Sequence, residues 1–323
     1  MLVPATRADA APAAPDSDRW AGRSSWLSIQ EFAVTGFLSA CALITVLTTV
    51  GIVLVLGVEA ARFFSKPGVS AADFFLGTKL DPDGTPPRFG FLPLLWGTFV
   101  VAAGSSAIAL PIGLLSAIYL SEYAPRPLRA VLKPALELLA GVPTIVYGYL
   151  ALLLVTPALK AVLEPMGIRV ETYNALSACI VVGVMVIPMV SSLSEDVLSA
   201  VPRGLREAAY GLGATKFEVS TRIVLPAALS GVTASFILAV SRAVGETMAV
   251  VLAAGSRAQI TLNPLTSIET MTAYIVAVTG GEAGAGSAES LSLFAVGLSL
   301  FAITLVLNLA SALVLRRFRE VYE

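Results

Sequence analysis

Between Glu31 and Glu59 the chain carries no charged residue. An apolar run of that length can cross the hydrocarbon core of a bilayer as a helix, which takes about 20 residues. Comparable runs recur along the sequence and narrow the choice of fold more than any other feature. Composition agrees. The 323 residues are 56% hydrophobic and 13% charged, with a mean hydropathy of +0.84, whereas soluble domains are about a quarter charged. The expected class is an all-α polytopic membrane protein. The formal net charge of −1 points to neither nucleic acid nor an acidic partner.

Six spans are predicted, at Phe32–Val58, Phe91–Leu120, Pro134–Pro157, Tyr173–Leu193, Pro226–Gly255 and Ser290–Leu315. Residues 1–27 are rich in Ala, Pro, Asp, Ser and Arg, the composition of a disordered tail. The span that follows is too long for the apolar core of a signal peptide, so the tail is expected to be retained. Residues 28–323 form the six-span domain. In the second span Ala109, Gly113 and Ala117 make a small-residue stripe at four-residue spacing, which lets another helix approach closely. Pro111, Pro143 and Pro188 interrupt the second, third and fourth spans. They read equally well as kinks of a packed bundle and as breaks beside a substrate path.

Lys and Arg concentrate in the tail, in 126–133, in 203–222 and in 316–319. By the positive-inside rule those segments face the cytoplasm, and an even number of spans then places both termini inside. Two long outer segments result, Glu59–Gly90 and Ser256–Glu289, which either receive an external partner or cover the bundle. The apolar run Met271–Val278 within the second is too short to span and is expected to be a re-entrant or surface helix.

Several chemistries are excluded by what the sequence lacks. There is no histidine, which removes His-based acid–base catalysis, Ser-His-Asp and Cys-His arrangements and most zinc or haem sites. Cys41 and Cys179 both lie within apolar spans and read as small hydrophobes. No GxxxxGK pattern followed by Ser or Thr occurs, so the chain is not expected to bind ATP. Neither an enzymatic activity nor a cofactor or metal is expected.

One polar island lies between the fourth and fifth spans, within a loop at 203–226. It reads Glu207-Ala208-Ala209, three residues, Gly213, nine residues, then Ile223-x-Leu225-Pro226. Arg206–Leu212 and Ala214–Val224 suit two short helices, with Gly213 supplying the break. Glu207 is placed to complement the dipole at the start of the first helix. Ala208 and Ala209 offer a small flat face for another protein, and Pro226 suits the start of the next span. An amphipathic loop lying on the membrane is the plainer alternative.

This pattern resembles, without departure, the signature of binding-protein-dependent ABC importer permeases. The resemblance implies a type I ABC importer permease fold in which the loop is a coupling helix inserted into the ATP-binding subunit. Further stretches are similar to the PstC/PstA family of phosphate importer permeases. They are Phe91–Thr98, Ser121–Pro125, Gly141–Gly148 and Ser241–Thr247. The long loop after the first span and the Asn263-Pro264…Thr270 segment are more similar to the PstC branch. The family implies a heterodimer with a PstA-like permease, two PstB-like ATPase subunits and an external PstS-like phosphate-binding protein. Sulfate or molybdate in place of phosphate remains open, as does an ATP-independent carrier, against which the loop signature speaks.

Arg242, in the middle of the fifth predicted span, is the remaining feature, because an ionisable group at that depth is costly. Helical spacing puts Glu246 one turn along on the same face, and Ser235 two turns back. The three make a candidate substrate path. Either Arg242 attracts an oxyanion while Glu246 holds it in place, or the two charges neutralise each other and fix helix packing. The family resemblance implies that this Arg and Glu are linked to phosphate passage.

Overall fold

A computed structural model describes residues 25–82, 84–281, 284 and 286–318. The tail predicted for residues 1–27 lies almost wholly outside the described residues, which begin in helix α1 (Ser25–Phe64). The chain divides between Val55 and Leu56 into two compact units. In the first, large apolar side chains such as Phe32, Phe37, Leu43 and Val50 are exposed. The hydroxyls of Thr45, Thr48 and Thr49 donate to the carbonyls four residues back, so these polar groups are satisfied within the helix.

The second unit follows the order α2 (Ala71–Leu76), β1 (Leu80–Asp81), β2 (Arg88–Phe89), α3 (Leu92–Ile118), α4 (Arg126–Ala140), α5 (Thr144–Leu150), α6 (Thr156–Leu163) and α7 (Ala175–Ala200). It continues with α8 (Arg203–Gly211), α9 (Lys216–Glu218), α10 (Leu225–Ala227), α11 (Leu229–Val244), α12 (Met248–Ala254), α13 (Met271–Gly280) and α14 (Ala288–Phe318). Among the described residues five helices are long and apolar enough to cross a membrane, and a sixth span results if the bent pair Lys216–Ala227 and Leu229–Val244 is counted as one.

The centre of this unit is the seam between α3 and α7. A Cβ on Gly104 would meet Cys179 at 2.4 Å, one on Gly113 would meet Val190 at 2.6 Å, and one on Gly183 would meet Ile108 at 3.1 Å. Glycines on both helices therefore set how closely the two backbones approach. Around the seam pack Val101, Ala109, Val182, Val186, Ala239 and Ala249, all buried.

Two predicted spans are corrected. The third was placed at Pro134–Pro157. Instead α4 is a separate amphipathic helix with no buried residue, and the span runs from Thr144 to Met166. Gly141-Val142-Pro143 ends α4, because Pro143 lacks an N–H and drives Val142 out of the helical region. Pro157, conversely, does not end its helix. It follows a π turn at Ala151–Val155, whose wider loop makes room where a proline ring would meet the carbonyl four residues back. The fifth span, placed at Pro226–Gly255, is divided. Lys216–Ala227 turns by 74° into α11, and a second break at Gly245–Thr247 separates α11 from α12.

At the hairpin end of α3, Phe63, Phe74, Phe89 and Phe91 form a buried aromatic cluster with Met271, Tyr274 and Val278. The Met271 run is thus a short helix with one face packed into the protein. The segment before it, 261–271, is tied down over the starts of α3 and α7. Trp96 Nε1 donates to the Thr261 carbonyl at 2.8 Å, the Leu176 N–H to Pro264 at 2.7 Å and the Met271 N–H to Thr98 Oγ1 at 3.0 Å.

The seam makes a direct prediction. Gly113→Ala places a methyl group where α3 and α7 cannot yield without separating, an overpacking cost of about 1–3 kcal/mol. Gly280→Ala meets nothing within 4 Å. Thermal melts of the solubilised protein should show a clear drop for the first variant and little change for the second.

Candidate coupling loop and polar break

The loop that carries the Glu207–Pro226 signature begins with α8, which starts at Arg203. Glu207 therefore sits in the middle of that helix rather than in its first turn, and the expected dipole cap is absent. Gly213 has φ +83 with nothing within 4 Å of a built Cβ. Its requirement is conformational and not steric, since side-chain-bearing residues seldom adopt that φ. The next helix starts at Lys216, not Ala214. Its first turn is held by a capping box in which Thr215 Oγ1 accepts from the Glu218 N–H and the Glu218 carboxylate accepts from the Thr215 N–H. Those bonds hold the Glu218 carboxyl below its ordinary range. Pro226 lies near the end of this helix, just past a π turn at Val219–Val224, and not at the start of the span.

The signature residues divide by direction. Glu207, Ala208, Gly213 and Pro226 are exposed, together with Leu212, Phe217 and Tyr210. Ala209 is buried, and Ile223 and Leu225 pack with it against Val219, Val224 and Leu198. Ala209 thus serves the internal packing of the loop, where a larger side chain would push α8 away, and Ala208 alone of the pair faces outward. The loop is anchored by Arg206. Its guanidinium donates to the carbonyls of Val201 (2.5 Å) and Leu198 (2.7 Å) and to Glu122 Oε1 (3.0 Å) just beyond α3. Lys216 lies 4.9 Å from the centre of the Tyr123 ring.

The second locus is the break between α11 and α12. Arg242, in the last turn of α11, is exposed and makes no ion pair or hydrogen bond among the described residues. Glu246 does not continue its face, because the helix ends at Gly245. Glu246 is buried, and its carboxylate accepts from the Ala249 N–H at 3.3 Å at the start of α12. The two charges do not pair. Ser235 is buried and shares a 2.7 Å hydrogen bond with Ser194 on α7, so the structure brings it to the α7 seam rather than beside Arg242.

Thr272, which motif reasoning did not single out, also reaches the break. Thr272 donates to the Glu246 carbonyl at 2.8 Å. Glu269 and Thr270 are buried in the segment just before, and the Glu269 carbonyl presses on Gly97 of α3, 2.1 Å from a built Cβ. A polar Glu-Thr-x-Thr string at 269–272, next to an apolar helix, was the available signal. The arrangement is a guanidinium unpaired among the described residues on an open helix face, four residues before a buried carboxylate at an irregular turn. A guanidinium so placed suits an oxyanion, to which it can donate two parallel hydrogen bonds.

Comparison with known proteins fits this geometry. The profile of binding-protein-dependent transport system inner membrane components matches residues 109–320. This chain belongs to that family. A probable ABC transporter permease, YqgH of Bacillus subtilis (strain 168), is 34% identical over 266 residues, covering 82% of this chain and 84% of the relative. The phosphate transport system permease PstC of Mesorhizobium japonicum is 32% identical, covering 90% and 93%. PstC of Xylella fastidiosa (strain Temecula1) is 35% identical, covering 78% and 81%. Among solved structures, a bacterial ABC transporter involved in alginate import matches with a TM-score of 0.63 at 14% identity over 90% of this chain and 99% of the other. The MetNI methionine transporter, crystallised in inward-facing conformations, gives 0.51 at 18% identity, covering 72% and 95%. The permease therefore has the type I importer fold, as expected from its sequence.

Burial pushes the Glu269 carboxyl up to about 7. In the window from the ordinary glutamate value to 7, the folded permease holds more protons than the unfolded chain, so stability falls as pH rises. The shift corresponds to on the order of 3 kcal/mol. Melts between pH 5 and 8 should show that decline, and Glu269→Gln should flatten it.

Proposed function

We propose that this chain is the transmembrane permease subunit of an ATP-driven importer of inorganic phosphate. The supporting observation is the agreement between relatives named PstC, 32–35% identical over most of the chain, and a loop in which Glu207, Ala208 and Gly213 stand exposed on a pair of short helices, the second of them capped. In this reading the permease pairs with a PstA-like second permease. Two PstB-like ATPase subunits drive the pair, and an external PstS-like protein delivers phosphate. ATP hydrolysis belongs to the ATPase subunits.

Glu207, Ala208, Leu212 and Phe217 form the surface that meets the ATPase, with Gly213 fixing the angle between the two loop helices. Ala209, Ile223 and Leu225 hold that surface to the body of the permease, and Pro226 precedes the 74° bend into α11. Displacement of the loop is thereby carried into the helix that bears Arg242. The exposed face of α11 borders the path shared with the second permease, where Arg242 draws the phosphate oxygens. Glu246 fixes the turn behind it and keeps the local charge from trapping the anion. Ser235 supports the path through its bond to α7. Both termini and the loop lie on the cytoplasmic side, in keeping with the concentration of Lys and Arg there.

Arg242→Gln should leave the complex assembled and lower labelled phosphate uptake roughly thirtyfold or more, the effect of losing a charge-assisted contact of about 2–5 kcal/mol. Glu207→Lys and Gly213→Val should each insert normally yet separate ATP hydrolysis from uptake in proteoliposomes. Competition by sulfate and molybdate reports the anion preference, and uptake insensitive to unlabelled phosphate would refute the assignment of substrate.

A further inference from the structure

Helix α4 poses a physical problem. None of its residues is buried, so apolar packing does little to hold it, yet it leads directly into the third span. What holds it is charge. Glu195, fully buried on α7, receives Arg129 and Lys133 from α4; Lys133 Nζ lies 2.7 Å from Glu195 Oε2 and also bonds Asp196. Among the described residues every side-chain hydrogen bond of α4 goes to α7. Burial alone would lower the Lys133 pKa, but its hydrogen bonds to Asp196 and Glu195, with their charges, outweigh that and hold it above the ordinary lysine value.

The cluster does not end there. Ser199 accepts from Arg129 at 2.8 Å, and its single proton can go either to Glu195 Oε1 at 2.9 Å or to the Ser121 hydroxyl at 3.4 Å. Ser121 donates to Glu122 Oε1 at 3.1 Å, the same oxygen that receives Arg206 of the loop helix α8. With the Ser199 proton on Ser121, the chain Arg129–Ser199–Ser121–Glu122–Arg206 joins α4 to α8. At the other end of α4, Tyr147 of α5 donates to the Leu139 carbonyl at 2.9 Å across the Gly141-Val142-Pro143 break. Gly148 then packs on Ala249 and Leu252 of α12, with a built Cβ 2.9 Å from Leu252. Helix α12 starts at Met248, two residues after Glu246.

We infer that Glu122, Ser121, Ser199 and Glu195 are positioning residues which relay displacement of the loop helix α8 to α4, and through α5 and α12 to the polar break at Glu246. The inference rests on the assignment of the loop as the ATPase contact. A cluster that merely anchored α4 would be met at least as cheaply by apolar residues, since burying a carboxylate with two cations carries a large desolvation cost. It would also need no continuation through two serines to Arg206. The relay gives the loop a second route to the candidate anion site, separate from the bend at Ala228.

The test uses the full assembly in proteoliposomes, with labelled inorganic phosphate transported per ATP hydrolysed as the readout. Ser199→Ala and Glu122→Gln should each lower that ratio about tenfold while assembly and basal ATP hydrolysis stay near normal. As links in series, their double variant should be no worse than the worse single one, where independent sites would multiply. Spin labels at Leu138 and Val162, both exposed, with Cys41 and Cys179 replaced by alanine, report motion of α4 against the third span. An ATP-dependent change in their separation should be present in the otherwise unaltered chain and lost in Ser199→Ala. A normal ratio in the single variants, multiplicative effects, or no ATP-dependent movement of α4 would each overturn the relay. If instead no ATPase subunit co-purifies with the unaltered chain, it is the importer assignment that fails.

Discussion

The close approach of α3 and α7 is the constraint on which the rest of the second unit depends. Within a bilayer no hydrophobic force drives one apolar helix against another, so contact must come from shape, and glycine supplies it by removing the side chain. Gly104, Gly113 and Gly183 each leave space that a neighbouring Cys, Val or Ile fills. The seam then acts as a post. At one end α4, α8 and the π turn Tyr119–Tyr123 that follows α3 gather on it through ions. At the other, the 261–271 segment is clipped over it by Trp96 and Thr98.

Against that rigid pair the remaining helices are interrupted repeatedly, and each interruption has a local cause. Pro143 ends α4, Gly245 ends α11, and Gly213 turns the loop through a conformation open to glycine. Elsewhere prolines are absorbed, as at Pro157 and Pro226, where a preceding π turn widens the backbone. The α3–α7 seam has no such break, and its prolines Pro111 and Pro188 lie inside continuous helices. A stiff post beside a jointed arm is the mechanical form expected of a subunit that turns a push at one end into a change of access at the other.

Much of this was legible in sequence because it is local. Apolar runs marked four of the six spans to within a few residues at most of their ends, and the signature spacing around Gly213 marked the helix–turn–helix loop. The misreadings have a common origin. The third span was placed too early because Leu-rich α4 is apolar on one side, and its pairing partner Glu195 lies about sixty residues on. The fourth was ended too soon, since Glu195 and Asp196 look like the end of an apolar span until Arg129 and Lys133 are beside them. Arg242 and Glu246 are aligned only on an unbroken helix, and α11 ends at Gly245.

The sequence by itself determined that this protein is a bundle of membrane helices with one polar helix–break–helix loop, since apolar length and a glycine between two helix-forming stretches are properties of neighbouring residues. Only the tertiary structure decided that Ala209 faces inward while Ala208 faces outward, and that Arg242 stands unpaired while Glu246 is buried. It alone brought Glu195 and Glu122 into one polar chain. Those outcomes depend on which distant segments share a dry interior, where a charge must find its partner and a small residue its neighbour.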